Sequence, residues 1–239
     1  MFGLGTLINV VAIIIGGIFG GLFGKLLKQT HQDALSKACG ICVLFIGIGG
    51  ALEGMLQVVD GKIVSGGSLL IIASLAIGGL VGELLNVEGL FERFGEWLKK
   101  KTGSSKDHRF VDAFVTASLT VCIGAMAVVG AIQDALQGDI SILVTKAILD
   151  LIIIMVMTCS MGKGCVFSAV AVAIFQGSIT ALSLLLKPLM TENALGNLSM
   201  VGSILIFCVG VNLVWGKKVR VANLLPALIV AVAWAFLPI

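Results

Sequence analysis

Ile140-Ser141-Ile142-Leu143-Val144-Thr145-Lys146-Ala147-Ile148-Leu149-Asp150-Leu151-Ile152-Ile153-Ile154-Met155 opens an apolar stretch that runs to Met161. Crossing about 30 Å of hydrocarbon takes about 20 apolar residues at a helical rise of about 1.5 Å each, so this stretch reads as a membrane span. It carries two charges. Lys146 lies about 9 Å from the start and Asp150 about 15 Å, near the midplane. Their i, i+4 spacing puts them on one helix face, although lysine preceding acid is the weaker order. Each costs about 2.5–3.5 kcal/mol at a helix centre on insertion scales, so neither should face lipid. Two readings stay open: a structural ion pair that locks two helices, or a charge lining a solute or proton path.

Working outward, stretches of the same kind recur, and charge, Gly, Asn and Pro separate them. They cover roughly 4–24, 38–58, 68–86, 110–133, 140–161, 164–187, 197–215 and 219–237. Hydrophobic residues make up 58% of the 239 and charged ones 12%, against roughly a quarter charged in a soluble domain; mean hydropathy is +1.13. The expected fold is an all-α integral membrane protein, a single domain over 1–239 with about eight transmembrane helices. The first stretch lacks a basic n-region and a cleavage site, so it reads as a retained helix.

One linker is long. Over 88–101, Leu90, Phe91, Phe94, Trp97 and Leu98 recur at helical spacing with charges opposite, which predicts an amphipathic interfacial helix. Phe91, Phe94 and Trp97 are its expected anchors, and Lys99–Lys101 are expected to meet anionic lipid headgroups. Orientation follows from the basic residues. With the amino terminus outside, the inner loops hold Lys25, Lys28, Lys37, Arg93, Lys99, Lys100, Lys101, Lys106, Arg109, Lys163, Lys217, Lys218 and Arg220, and the outer loops only Lys62 and Lys187. That asymmetry predicts both termini outside.

Glycine forms stripes: Gly16, Gly20 and Gly24, with Gly17 and Gly21 beside them, and Gly78 with Gly82. Close backbone approach drives helix association where lipid supplies no hydrophobic force, so these are packing faces within or between protomers. Gly50-Ala51-Leu52-Glu53-Gly54-Met55-Leu56 resembles Gly130-Ala131-Ile132-Gln133-Asp134-Ala135-Leu136, which suggests a repeated helical hairpin. Such repeats are common in transporters.

Other polar residues inside spans are candidate lining: Asn9, Thr120, Gln176 and Asn223, with Thr116 and Gly124 on the Thr120 stripe and Asn212 near a span end. Pro226 removes the donor for the Ala222 carbonyl and predicts a kink in the last helix. The acids Glu53, Asp60, Asp134, Asp139 and Glu192 fall at outer ends, as solvated groups or as a bias towards cations. Cys39 and Cys42 form a C-x2-C with no histidine near, so packing is expected and no metal. No nucleotide loop, catalytic constellation or cofactor motif is visible, and the +3 charge is too small to suggest nucleic acid.

Gly5-Thr6-Leu7-Ile8-Asn9, Gly78-Gly79-Leu80-Val81-Gly82-Glu83, Ala117–Met126, Lys146–Asp150, Phe175-Gln176-Gly177 and Asn223-Leu224-Leu225-Pro226-Ala227 occur in this order. In them the chain resembles the prokaryotic membrane family catalogued as domain of unknown function 554. The resemblance implies a multi-pass protein of the bacterial or archaeal plasma membrane, sometimes labelled a transporter, and brings no substrate with it. The leading expectation is a channel or secondary transporter for a small solute or ion, and not an enzyme. The competing one is a membrane scaffold or regulator that recruits partners through its glycine faces and amphipathic helix. The expected partners are the lipid bilayer, a small solute or ion, and a second copy of the chain.

Overall fold

The last helix shows how local chemistry shapes this chain. Pro226 has no N–H and a preset φ, which suits the first position of a helix. In the computed structural model, which describes residues 3–59, 61–104, 107–123 and 125–237, a 3-10 turn occupies Val221–Leu224 and the final helix begins at Pro226. The expected kink is therefore a helix start. The Ala222 carbonyl accepts the Leu225 N–H at 3.2 Å, so the 3-10 turn satisfies the group that proline would have left free.

The helices are α1 (Leu4–Gly24), α2 (Gln29–Met55), α3 (Ser68–Leu85), α4 (Val87–Lys101), α5 (Phe110–Cys122), α6 (Ala125–Gln137), α7 (Ser141–Met161), α8 (Ser168–Ala181), α9 (Ser183–Leu186), α10 (Glu192–Trp215) and α11 (Pro226–Trp234). Among the described residues, six helical stretches are long and apolar enough to cross a membrane, the fifth being the 3-10 turn and helix over Lys163–Ala181. They become seven if α5 and α6, bent by 61° where they meet, form one span. The eighth expected span is the shorter 3-10 turn with α11. Asp60, Lys106 and Gly124 lie outside the described residues.

Two boundaries differ from expectation. The second helix starts at Gln29 and stops at Met55, and the chain then forms an antiparallel hairpin, β1 (Leu56–Val59) with β2 (Lys62–Ser65), in the register Val58↔Ile63. The β-branched Val58, Val59, Ile63 and Val64 favour extended backbone, so the fold is helical with one small hairpin. The expected span over 110–133 is divided because α5 ends at Cys122 and Ile123 is extended, at φ −78° and ψ 127°.

Three helix pairs organise the bundle: α1 along α7, α2 along α10 and α3 along α11. Glycine allows each. Gly16 and Gly20 lie against the Leu151 and Met155 carbonyls and Gly24 against Cys159, while Gly17 abuts Val166. Gly78 lies on Ala227 and Gly82 on the Asn223 carbonyl. Gly47 and Gly210 do the same between α2 and α10, a seam the sequence pattern did not single out. Ile18, Phe19, Leu22, Phe45, Leu80 and Leu84 point outward, as lipid contact requires.

Helix α4 forms over Val87–Lys101 with the expected amphipathic character, and part of its apolar side packs on the bundle. Leu98 is buried, Phe91 packs on the main core, and Phe94 lies 5.8 Å from Phe114 of α5. Of the three expected anchors only Trp97 stays exposed, stacked on Phe94. The apolar stripe of α4 thus rests partly on the protein, while Leu90 and Trp97 stay exposed on its outer side. The two halves of the internal similarity also differ: Gly50–Met55 ends a continuous helix followed by the hairpin, whereas Gly130–Leu136 lies on α6 and leads directly into α7.

Candidate functional site

The break between α5 and α6 creates the site. A helix leaves its last carbonyls without intrahelical donors, and inside a membrane no bulk water replaces them. Lys146, 7% exposed on α7, donates to the Val121 carbonyl at 2.7 Å. A cation is favoured there because the helix C-terminus carries partial negative charge. The same ammonium donates to Asp150 Oδ2 at 2.5 Å, and Asp150 is 4% exposed. The pair is buried with no net charge.

Around it the structure gathers amides and hydroxyls from two other helices. Asn9 of α1 lies beside Asp150 and donates through Nδ2 to Gln176 Oε1 of α8 at 3.4 Å. Both residues are fully buried. Asn9 Oδ1 and Gln176 Nε2 have no partner among the described residues. One turn further towards the hairpin end, the Thr6 and Thr180 hydroxyls lie 3.4 Å apart. The seam closes at Asp134 of α6, which is 1% exposed and accepts the Gly5 N–H at 2.9 Å. An acid at the amino terminus of α1 complements its dipole. Asp134, expected at an outer end as a solvated group or a bias towards cations, is thus a buried cap whose other oxygen has no partner among the described residues.

Four of the six candidate lining residues therefore converge: Lys146, Asp150, Asn9 and Gln176. Thr120 does not join them; its hydroxyl donates back to the Thr116 carbonyl at 2.8 Å, a common habit of threonine in helices. Asn223 sits at the opposite, lysine-rich end, where its Oδ1 accepts the Glu88 N–H at 2.7 Å in the first turn of α4. Asn212 binds the loop after α10, donating to the Val219 carbonyl and accepting the Lys218 and Val219 N–H groups. Thr6, Thr180 and the Val121 carbonyl were missed. The i, i+3 spacing of Thr6 and Asn9 and the i, i+4 spacing of Gln176 and Thr180 were readable signals. The helix break, inside an apolar run, was not.

At the lysine-rich end a cavity of about 190 Å³ is lined by Glu88, Glu92, Asp112, Thr116, Leu119 and Lys217, among others. Lys217 pairs with Glu88 at 2.6 Å and Glu92 at 2.9 Å. The hydrogen bond to Glu88 holds the Lys217 ammonium above its ordinary range, against the opposing effect of burial. This cavity reaches α5 at Leu119, two residues from the carbonyl that Lys146 holds.

The family described as protein of unknown function (DUF554) matches residues 4–236. The chain belongs to this family. It is 33% identical over 226 residues to "Uncharacterized membrane protein YdfK" of Bacillus subtilis (strain 168), covering 95% of this chain and 93% of that one. It is 25% identical over 232 residues to "Uncharacterized protein YqgA" of Escherichia coli (strain K12), covering 95% and 94%. No solved structure matches the chain. Every residue of the seam in this DUF554 protein, from Gly5 to Thr180, falls inside the matched region. Its arrangement pairs two opposite charges with amide and hydroxyl groups across α1, α7 and α8, with Asp134 of α6 at its end, and among the described residues three of its buried polar atoms have no partner: Asn9 Oδ1, Gln176 Nε2 and Asp134 Oδ1. Such groups can pass a proton or hold a small polar guest.

Proposed function

We propose that this chain is a channel or secondary transporter for a small solute or ion, with Lys146 and Asp150 on the path. One observation carries the reading: a buried charge pair tied to a broken helix, at the inner end of a polar seam whose amides keep unpaired atoms. Broken helices with polar groups near the midplane are a recurrent way to build solute sites in transporters. The acidic cavity at the lysine-rich end offers an approach from the other side. In this reading the lysine-rich end faces the cytoplasm, both termini face outward, and the chain sits in the plasma membrane of a bacterium or archaeon. Transport runs down a gradient or couples to one, because the sequence carries no nucleotide-binding loop.

The scaffold reading is the weaker one. Gly16, Gly20, Gly78 and Gly82 are covered by helices of the same chain, and Phe91, Phe94 and Leu98 turn inward. These contacts support transport over recruitment, although Leu90 and Trp97 of α4 stay exposed.

The test is flux into liposomes holding purified wild type or Asp150→Asn, across cations, anions and amino acids. Flux in wild type that disappears in a folded Asp150→Asn variant supports the proposal. Flux that persists undiminished in the variant removes Asp150 from the path. Absence of flux for every solute in folded wild type favours the scaffold.

A further inference from the structure

At the lysine-rich end, three basic side chains converge without an acid. A cavity of about 520 Å³ is lined by Lys25, Arg109 and Lys163 together with Gly17, Ile18, Gly21 and Leu22. The charges come from three chain segments. Lys25 follows α1, Arg109 precedes α5, and Lys163 opens the 3-10 turn after α7. None of the three makes an ion pair among the described residues. The nearby acids are engaged elsewhere: Asp33 accepts from Gln29 and Asp107 from the Arg109 backbone N–H, and neither lines the cavity.

Like charges brought together repel one another unless an anion joins them. The cavity also has an apolar half. It runs along α1 from Lys25 back to Gly17, about 12 Å at the helical rise. Ile18 and Leu22 on this stretch are 55% and 57% exposed, so the trough opens to the lipid side. Gly21 leaves it open, since a Cβ there would meet only Thr158 at 3.9 Å. A headgroup-level cation cluster continuous with a narrow apolar trough fits a phosphate with an acyl chain attached. Three cations exceed one phosphate charge and repel a choline or ethanolamine, which selects a headgroup without an amine.

We propose that this cleft binds one anionic phospholipid, its phosphate held by Lys25, Arg109 and Lys163 and an acyl chain laid along the Gly17–Gly21 trough. The site is separate from the Lys146–Asp150 seam and does not depend on transport. It also differs from the Lys99–Lys101 run, which lies on α4 and lines no part of this cavity.

Native mass spectrometry of the full chain, purified in detergent and mixed with phosphatidylglycerol and phosphatidylcholine of equal chain length, tests it. Wild type should retain phosphatidylglycerol at least about tenfold more than phosphatidylcholine, given that each basic residue near a membrane surface contributes appreciably to anionic binding. Lys25→Gln/Arg109→Gln/Lys163→Gln should bring the two lipids to parity, while Lys99→Gln/Lys100→Gln/Lys101→Gln keeps the preference. Should the triple variant fail to fold, the single exposed change Lys163→Gln should still lower phosphatidylglycerol retention severalfold. Gly21→Leu fills the trough without touching a charge and should lower retention too. Equal retention of both lipids by wild type, an undiminished preference in the charge variants, or undiminished retention in Gly21→Leu overturns the proposal. Displacement of phosphatidylglycerol by inorganic phosphate as readily as by more phosphatidylglycerol would mark a bare anion site and overturn the lipid assignment.

Discussion

The Lys146 ammonium lies 2.7 Å from the Val121 carbonyl oxygen and so ties α7 to the last turn of α5, where that helix bends away from α6. One side chain thus serves a helix end and the Asp150 carboxylate together. Its removal exposes both.

Lys146→Met leaves Asp150 buried without its counter-charge and should destabilise the protein by about 3–5 kcal/mol, whereas Lys146→Met/Asp150→Leu should recover most of that. Thermal unfolding in detergent measures both. Flux should stay lost in the double variant. If stability and flux return together, the pair is a structural lock and the proposed path is wrong.

Gly20→Ala drives a methyl group into the Met155 carbonyl and towards Thr158, and should cost about 1–3 kcal/mol through overpacking. Gly21→Ala, one residue away, meets only a methyl at 3.9 Å. It should be neutral or stabilising by up to about 1 kcal/mol from helix propensity. Comparing the two melting temperatures checks the packing of α1 on α7; equal losses would contradict it.

Asn223→Ala removes the acceptor for the Glu88 N–H and should cost about 0.5–2 kcal/mol, as other lost helix caps do. Hydrogen exchange should quicken at Glu88 and its neighbours in the first turn of α4 while the α7 amides stay protected. Unchanged exchange at Glu88 would rule out the cap.

Lys217 supplies a pH signature. Its folded-state pKa is raised, chiefly by the hydrogen bond to Glu88. The stabilisation is therefore fully present below the ordinary lysine value of 10.5 and disappears as pH climbs through the higher folded value. Lys217 is 53% exposed along its side chain, so solvent screening keeps the contribution below about 1 kcal/mol. The melting temperature of wild type should exceed that of Lys217→Met at neutral pH, and the gap should close only in strongly alkaline buffer. A gap that closes near neutrality would assign the effect to another group.

Asn9 and Gln176 were readable as candidates because an amide in an apolar span has few places to go, and both lie on the seam with Asp150. Thr120 and Asn223 carried the same signal and lie elsewhere. Residue type reports that a polar group must find a partner, but not which partner it finds. Phe91 and Phe94 show the same limit: their spacing announced an apolar face, while Phe114 and the core supplied part of its cover.

By itself the sequence determined that this is a helical membrane chain, with a buried opposite-charge pair one helical turn apart and glycine faces for close packing. Hydropathy, i, i+4 spacing and the absence of a side chain are local properties, legible one segment at a time. Only the tertiary structure decided that α5 breaks at Ile123, that Lys146 holds the Val121 carbonyl, that Asp134 caps α1, and that Pro226 starts a helix. Each of these depends on a backbone group finding a donor or acceptor far away in the chain. In a bilayer, where bulk water cannot serve, the folded neighbours select that partner.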